Sequence, residues 1–308
     1  MKFLQNCTLL SEYSFGEFVM KKLSTIKTDF LFFTHPKSIV VIILLVQLLS
    51  LGGCASTLDY DPTILRFDSP EVSGGVLSGN AQYQFAVTDR RVMAKIDQEM
   101  FDTEYKDSSK ATVENAATIG VRSDVGLSEN VDVYVRAQSG TVSVIGAKLQ
   151  FVGSAHNKIE KGLKISASTE FGYSNDSSLK GDRKTLSMTS SDYSINIGYR
   201  LTSNFIVYIN NFYNRNEIKG SLGRGSNTKY SISGVSNGFG SLFGVRYQMG
   251  EHEKFFGWIV RPHVTMEFGS GNFSWLNTKD HESRDFILNN KKDKSSGAWG
   301  ISAGFHWG

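Results

Sequence analysis

The sequence predicts an all-β protein, a closed, antiparallel, up-and-down transmembrane β-barrel of about ten strands. Three observations predict it. From about Asn80 to the C-terminus, apolar and polar residues alternate with period two. Most alternating segments outrun the roughly five to six residues usual for strands of soluble sheets, and a membrane-crossing strand tilted about 45° needs roughly nine to eleven. The links between segments alternate between short and long, as the two ends of an outer-membrane barrel require.

The segments follow in order. In 80–88, Ala81, Tyr83, Phe85 and Val87 share a face opposite Gln82 and Gln84. In 117–127, Ile119, Val121 and Val125 oppose Arg122 and Asp124. In 131–137, Val131, Val133 and Val135 oppose Asp132, Tyr134 and Arg136. In 142–153, Ile145, Ala147, Leu149 and Phe151 oppose Lys148 and Gln150. In 162–174, Leu163, Ile165, Phe171 and Tyr173 oppose Lys164 and Glu170. In 191–201, Tyr193, Ile195, Ile197 and Tyr199 oppose Asp192, Asn196 and Arg200. Segment 205–216 is ambiguous, with apolar residues on both faces. In 237–249, Phe239, Phe243, Val245 and Tyr247 oppose Gly240, Gly244, Arg246 and Gln248. In 255–269, Trp258, Val260, Val264, Met266 and Phe268 oppose Arg261, His263 and Glu267. In 298–307, Trp299, Ile301, Ala303, Phe305 and Trp307 oppose Gly300, Ser302, Gly304 and His306.

The short links are Ser128-Glu129-Asn130, 155–161, Thr202-Ser203-Asn204 and 250–254. The long ones are about 89–116, 175–190, 217–236 and 270–297, and 138–141 is short where a long one is due. With ten strands, both ends of the barrel fall on the short-link, periplasmic side, and the long links are extracellular. Tyr83, Tyr173, Tyr193, Tyr199, Tyr247, Trp258, Trp299 and Trp307 suit interfacial girdles on the apolar face.

Ahead of the strands, Ile39–Leu51 is apolar apart from Gln47 and Ser50, with Lys37 before it and Gly52-Gly53-Cys54 after it. At about 1.5 Å per helical residue these thirteen residues span roughly 20 Å, short of the ~30 Å hydrocarbon core, so the run reads as a removable signal peptide covering residues 1–53. Met20-Lys21-Lys22-Leu23 resembles a more typical start. Residues 54–78, with Pro62, Pro70 and Gly74-Gly75, read as a tether, and 79–308 as the barrel.

Two resemblances sharpen this. Leu51-Gly52-Gly53-Cys54 resembles the lipobox of bacterial lipoproteins, which implies lipidation at Cys54 and maturation by lipoprotein-processing enzymes. Ala55 and Ser56, with no Asp, resemble lipoproteins sent on to the outer membrane. Residues 80–308, and the closing strand GAWGISAGFHWG, resemble small bacterial outer-membrane β-barrels, though Gly308 follows Trp307 where that group usually ends on an aromatic. That resemblance implies a Gram-negative outer membrane, membrane lipid and the barrel-assembly machinery as partners, and a periplasmic N-terminus.

A net charge of +3 gives no field pointing to nucleic acid. Cys7 and Cys54 offer the mature chain neither a disulfide nor a Cys-based zinc site. No catalytic residue, metal or cofactor is assigned. His263 and Glu267 lie about 13 Å apart along a strand, too far to share one ion unaided. Asp280-His281-Glu282 is the best exposed acid–histidine cluster, and a rim hydrolase is the enzymatic alternative. Gly238-Phe239-Gly240-Ser241-Leu242-Phe243-Gly244 misplaces the third glycine of a dinucleotide fingerprint and no helix follows; its glycines read as lumen residues that relieve crowding.

The polar face carries Arg122, Asp124, Asp132, Arg136, Lys148, Glu170, Asp192, Arg200, Arg246, Arg261, His263 and Glu267. In a narrow lumen these are expected to pair, because an unpaired buried charge is costly. The functional expectation is a lipid-anchored barrel of structural or surface-binding type with a closed, ion-paired lumen and an unidentified surface ligand. A narrow pore for small solutes and a soluble periplasmic β-sandwich lipoprotein are the alternatives.

Overall fold

A computed structural model describes residues 58–60, 64–88, 94–96, 116–139, 141–178, 182–224, 227–250, 252–255, 258–277 and 294–308. The signal peptide, Met20, Cys54 and Asp280-His281-Glu282 lie outside them.

Ten strands form the barrel: β1 (Gly79–Thr88), β2 (Ala116–Gly126), β3 (Val131–Gln138), β4 (Val144–Val152), β5 (Gly162–Ser178), β6 (Asp182–Thr202), β7 (Phe205–Arg224), β8 (Asn227–Gln248), β9 (Trp258–Asn277) and β10 (Lys294–Trp307). Each pairs antiparallel with the next, and β10 returns to β1 from Trp307↔Gly79 to Ala298↔Thr88. The ladder is therefore closed, which leaves no barrel strand with an open edge. Two short pairings accompany it, His252–Phe255 on β9 and Leu58–Tyr60 on Ala94–Ile96.

Burial follows the alternation. On β6, Ser190, Asp192, Ser194, Asn196 and Arg200 are buried in the lumen, while Tyr193, Ile195, Ile197 and Tyr199 are exposed outside. The exposed wall is an apolar belt in which Tyr193, Tyr213 and Phe239 are cross-strand neighbours, as are Phe243, Phe268 and Trp299. Phe239 and Tyr247 are eight residues apart, about 27 Å of strand, or roughly 20 Å of height at a tilt of about 40°; membrane barrels carry a belt about 25 Å tall. Trp307 departs from the expected girdle. It is buried, stacks near Trp258 and donates its indole N–H to the Leu77 carbonyl at 2.9 Å.

Two expected long links are strand instead. β5 and β6 pair out to Ser178↔Lys184, and β7 and β8 out to Asn227↔Arg224, so the described strands are separated only by 179–181 and 225–226. These stretches of strand are rich in Ser, Thr, Asn and Lys, so no sustained apolar period marks them in the sequence.

The largest departure lies before β1. Residues 54–78 are expected as a tether outside the barrel. Instead Ile64–Ser73 is buried throughout, inside the barrel, in contact with β1, β3, β4, β6 and β9. This explains segment 205–216. Its apolar residues face both ways because Ile206, Tyr208 and Phe212 are buried on the lumen side, where Phe212 joins Ile64, Leu65 and Phe67 in one apolar cluster.

If the belt meets lipid, Ile197→Arg, next to Ile165 and Ile209 on the outer wall, destabilises the barrel by about 2–4 kcal/mol in bilayers. Urea unfolding in phospholipid vesicles measures this; a change near zero would place the wall in water.

Candidate functional site

The site is the lumen and the segment inside it. Three successive amides, those of Arg66, Phe67 and Asp68, donate to the Glu267 carboxylate at 2.9, 2.7 and 3.2 Å. Phe67 makes this possible with φ of 50°. A non-glycine residue in that left-handed region costs roughly 1–2 kcal/mol, and the turn it creates aims consecutive N–H groups at one anion. Tyr208 adds a fourth donor to Glu267 at 2.7 Å. The Phe67 carbonyl accepts from Gln82 at 2.9 Å.

The side chains of the segment join the lumen's charge pairing. Arg66 pairs with Asp192 and lies 3.5 Å over the Phe212 ring. Asp68 takes Arg122 at 2.8 Å and Lys148 at 3.0 Å on one oxygen, and Ser168 at 2.8 Å and Asn196 at 3.0 Å on the other. Glu71 accepts from Arg200 at 2.7 Å, with His156 at 3.3 Å and Lys164 at 4.0 Å. The Ser73 amide and hydroxyl both donate to Asp132, at 2.8 and 2.9 Å. At the short-link end, the Val72 amide donates to Gln150 and Asn157 donates to the Gly74 carbonyl.

Glycines make room for this filling. A Cβ at Gly300 would come within 2.7 and 2.8 Å of Leu65 and Phe67, and one at Gly244 within 2.1 Å of the Tyr208 ring. The lumen glycines expected at Gly240 and Gly244 thus have a specific role, clearing space for the inward rings of Phe212 and Tyr208.

All twelve expected lumen residues are buried. The structure brings Arg122 to Asp124 at 2.8 Å, and Arg136 to Glu170, which also accepts from Tyr134 at 3.0 Å. Asp132, Lys148, Asp192, Arg200 and Glu267 instead engage the inserted segment. Arg246 donates to Thr265 at 3.0 Å and sits 3.1 Å from His306, and His263 lies 3.4 Å from Gln82. The expectation paired strand with strand; Arg66, Asp68 and Glu71 are the residues it missed. One signal was present. Among the described strand residues facing the lumen, seven cations (Arg122, Arg136, Lys148, Lys164, Arg200, Arg246, Arg261) face five carboxylates (Asp124, Asp132, Glu170, Asp192, Glu267). The imbalance calls for anions from elsewhere.

Rings of His156 and His306 stack at 3.6 Å, and His263 lies 4.8 Å from His306. Among the described residues, no group of three or more His, Cys, Asp or Glu is arranged to hold a metal ion. A polar cavity bounded by Phe67, Asp68, Arg122, Asp132 and His306 measures about 10 Å³, room for roughly one water. A larger dent of about 620 Å³ opens on the wall over Ala147 and Ala167, between Leu149, Tyr193 and Tyr213. It is apolar and part of the belt.

No protein-family model matches the chain, and no curated protein does. Solved structures similar to it include Neisserial surface protein A (12% identity, 75% of this chain and 95% of that one, TM-score 0.29). Others are the translocator domain of the autotransporter NalP from Neisseria meningitidis (11%, 74% and 88%, TM-score 0.35) and OprG from Pseudomonas aeruginosa (12%, 78% and 98%, TM-score 0.28). Likeness at this level assigns neither a family nor an activity.

Asp68→Asn leaves Arg122 and Lys148 short of their shared counter-charge. A loss of about 3–5 kcal/mol is expected, read from urea midpoints, with faster hydrogen exchange at residues 66–73; an unchanged midpoint would show that the pair contributes nothing. Burial holds His156 at about 4, below 6.5, despite Glu71 beside it. Its value is depressed, so neutral His156 stabilises the filled lumen at neutral pH, and that share declines as pH falls from 6.5 to about 4. Protection at residues 71–74, the exchange rate relative to the intrinsic rate at the same pH, should fall on acidification from pH 7 to pH 4; protection that holds or rises at pH 4 would contradict the assignment.

Proposed function

We propose that the protein is an outer-membrane β-barrel of structural or surface-binding type, anchored through a lipidated Cys54 and closed by its own N-terminal segment. The apolar belt supports membrane residence, since a wall of exposed Tyr, Ile and Phe has no place on a monomeric protein in water. That wall also weighs against the soluble lipoprotein reading. The single observation that carries the closed state is the segment 64–73, which lies buried inside the barrel and joins the lumen's charges.

A pore for small solutes requires this segment to leave. Doing so would take from Lys148 and Arg200 their carboxylates, Asp68 and Glu71, and from Arg122 one of its two, Asp124 remaining, and breaking a buried pair costs several kcal/mol. The filled state is therefore the resting one, and binding falls to the outer hairpins β5–β6 and β7–β8, which stand beyond the belt on a rigid scaffold. No enzymatic reading is favoured by any arrangement of the described residues.

Planar-bilayer recording tests this. The intact protein gives no steady channels, whereas a variant lacking residues 64–76 conducts, provided it still shows the heat-dependent gel shift of a folded barrel. Steady channels from the intact protein would overturn the closed-lumen reading.

A further inference from the structure

We infer that the chain threads its own barrel from end to end, so that the residues before Ile64 emerge at the long-link end, opposite the end where β1 begins. The direction is set by contacts at both ends of the segment. At its C-terminal end, the Leu77 amide donates to the Gly126 carbonyl at 2.9 Å, beside the short link between β2 and β3. At its N-terminal end, Ile64 clusters with Phe273 and Ala298. Phe273 pairs with Lys294, where β10 begins, and Ala298 with Thr88, where β1 ends. Both mark the long-link half.

A separate pairing continues the path. Leu58–Tyr60 is antiparallel to Ala94–Ile96, with Asp59 opposite Lys95. Ala94–Ile96 lies in the link that leaves β1 at Thr88, hence at the long-link end. The four residue steps from Tyr60 to Ile64 reach at most about 14 Å, enough to join that pairing to the lumen. Cys54 stands four residues before Leu58 and so within a similar reach of the same end. The expected periplasmic tether thus runs the other way. The lipid anchor proposed for Cys54 would enter the leaflet at the long-link face, which is the cell surface if the long links point outward. That last step rests on the outer-membrane reading; the threading itself does not.

Two measurements test it. In a Cys7→Ser background, Asp59→Cys with Lys95→Cys places two thiols at registered positions, where antiparallel Cα atoms lie about 4.5–5.5 Å apart, within disulfide range. Oxidation should shift the band on non-reducing gels. In parallel, an epitope is placed just before Leu58, another in the 278–293 link and a third in the Ser128–Asn130 turn, and antibody binding is compared on intact cells and after permeabilisation. The upstream epitope should follow the 278–293 epitope, at least tenfold above the turn epitope. If it follows the turn epitope, the threading is wrong. If the 278–293 epitope is shielded and the turn exposed, the orientation reading fails, but threading stands when the upstream epitope is shielded too. If all three bind equally, the cross-link decides, and its absence overturns the threading.

Discussion

A closed barrel has an inside that water barely reaches, and every charge pointed into it must find a partner there. In this protein that constraint governs the rest. The strands alone do not meet it, because their inward cations outnumber their inward carboxylates. Asp68 and Glu71 bring two more anions, to Arg122, Lys148 and Arg200, and Arg66 meets Asp192, so the excess of inward cations shrinks from two to one. The segment that carries them is therefore part of the core. Removing it would leave a different set of electrostatic problems on at least five strands at once.

Backbone chemistry reinforces the same solution. A chain inserted without regular structure brings unpaired amides with it, and each buried orphan costs about as much as a lost hydrogen bond. Glu267 takes three of them, Gln150 and Asp132 one each. The left-handed turn at Phe67 is the conformational cost of pointing three amides at one carboxylate. Glu267 therefore has no need of a cation: its charge is met by oriented dipoles and the Tyr208 hydroxyl. A strand-to-strand pairing scheme could not have assigned it correctly.

What the sequence made legible follows from periodicity. Every barrel strand is visible where one face meets the belt and the other the lumen, because the two environments demand opposite residues. The signal fades where they stop differing. In the far parts of β5–β8 the sequence is rich in Ser, Thr, Asn and Lys, and the strands run on unannounced through Ser178 and Arg224. In β7 the lumen side turns apolar at Ile206 and Phe212 to match Leu65 and Phe67, and alternation disappears although the strand does not. Segment 64–73 has no period at all. Pro70 within it, and Pro62 and Gly74-Gly75 around it, describe a chain without a ladder, which is equally true of a tether in water and of a plug in a lumen. Only its charges, set against the excess of inward cations, separate the two.

Closure and filling are linked in space. The seam between β1 and β10 joins Gly79 to Trp307, and Trp307 also donates to Leu77 at the base of the segment. The segment immediately precedes β1, so it lies beside the first strand whenever that strand is laid down. If the barrel closed first, the upstream chain would have to pass end-on through a lumen whose Lys148 and Arg200 lacked the carboxylates that match them. If the strands wrap around the segment, those cations meet Asp68 and Glu71 as the wall is built, and the seam is the last ladder to form. The second route avoids the uncompensated state entirely. The contacts that fill the lumen are, on this account, the same ones that order its assembly, with the segment serving as the template on which the inward faces of β2, β4, β6 and β9 are set.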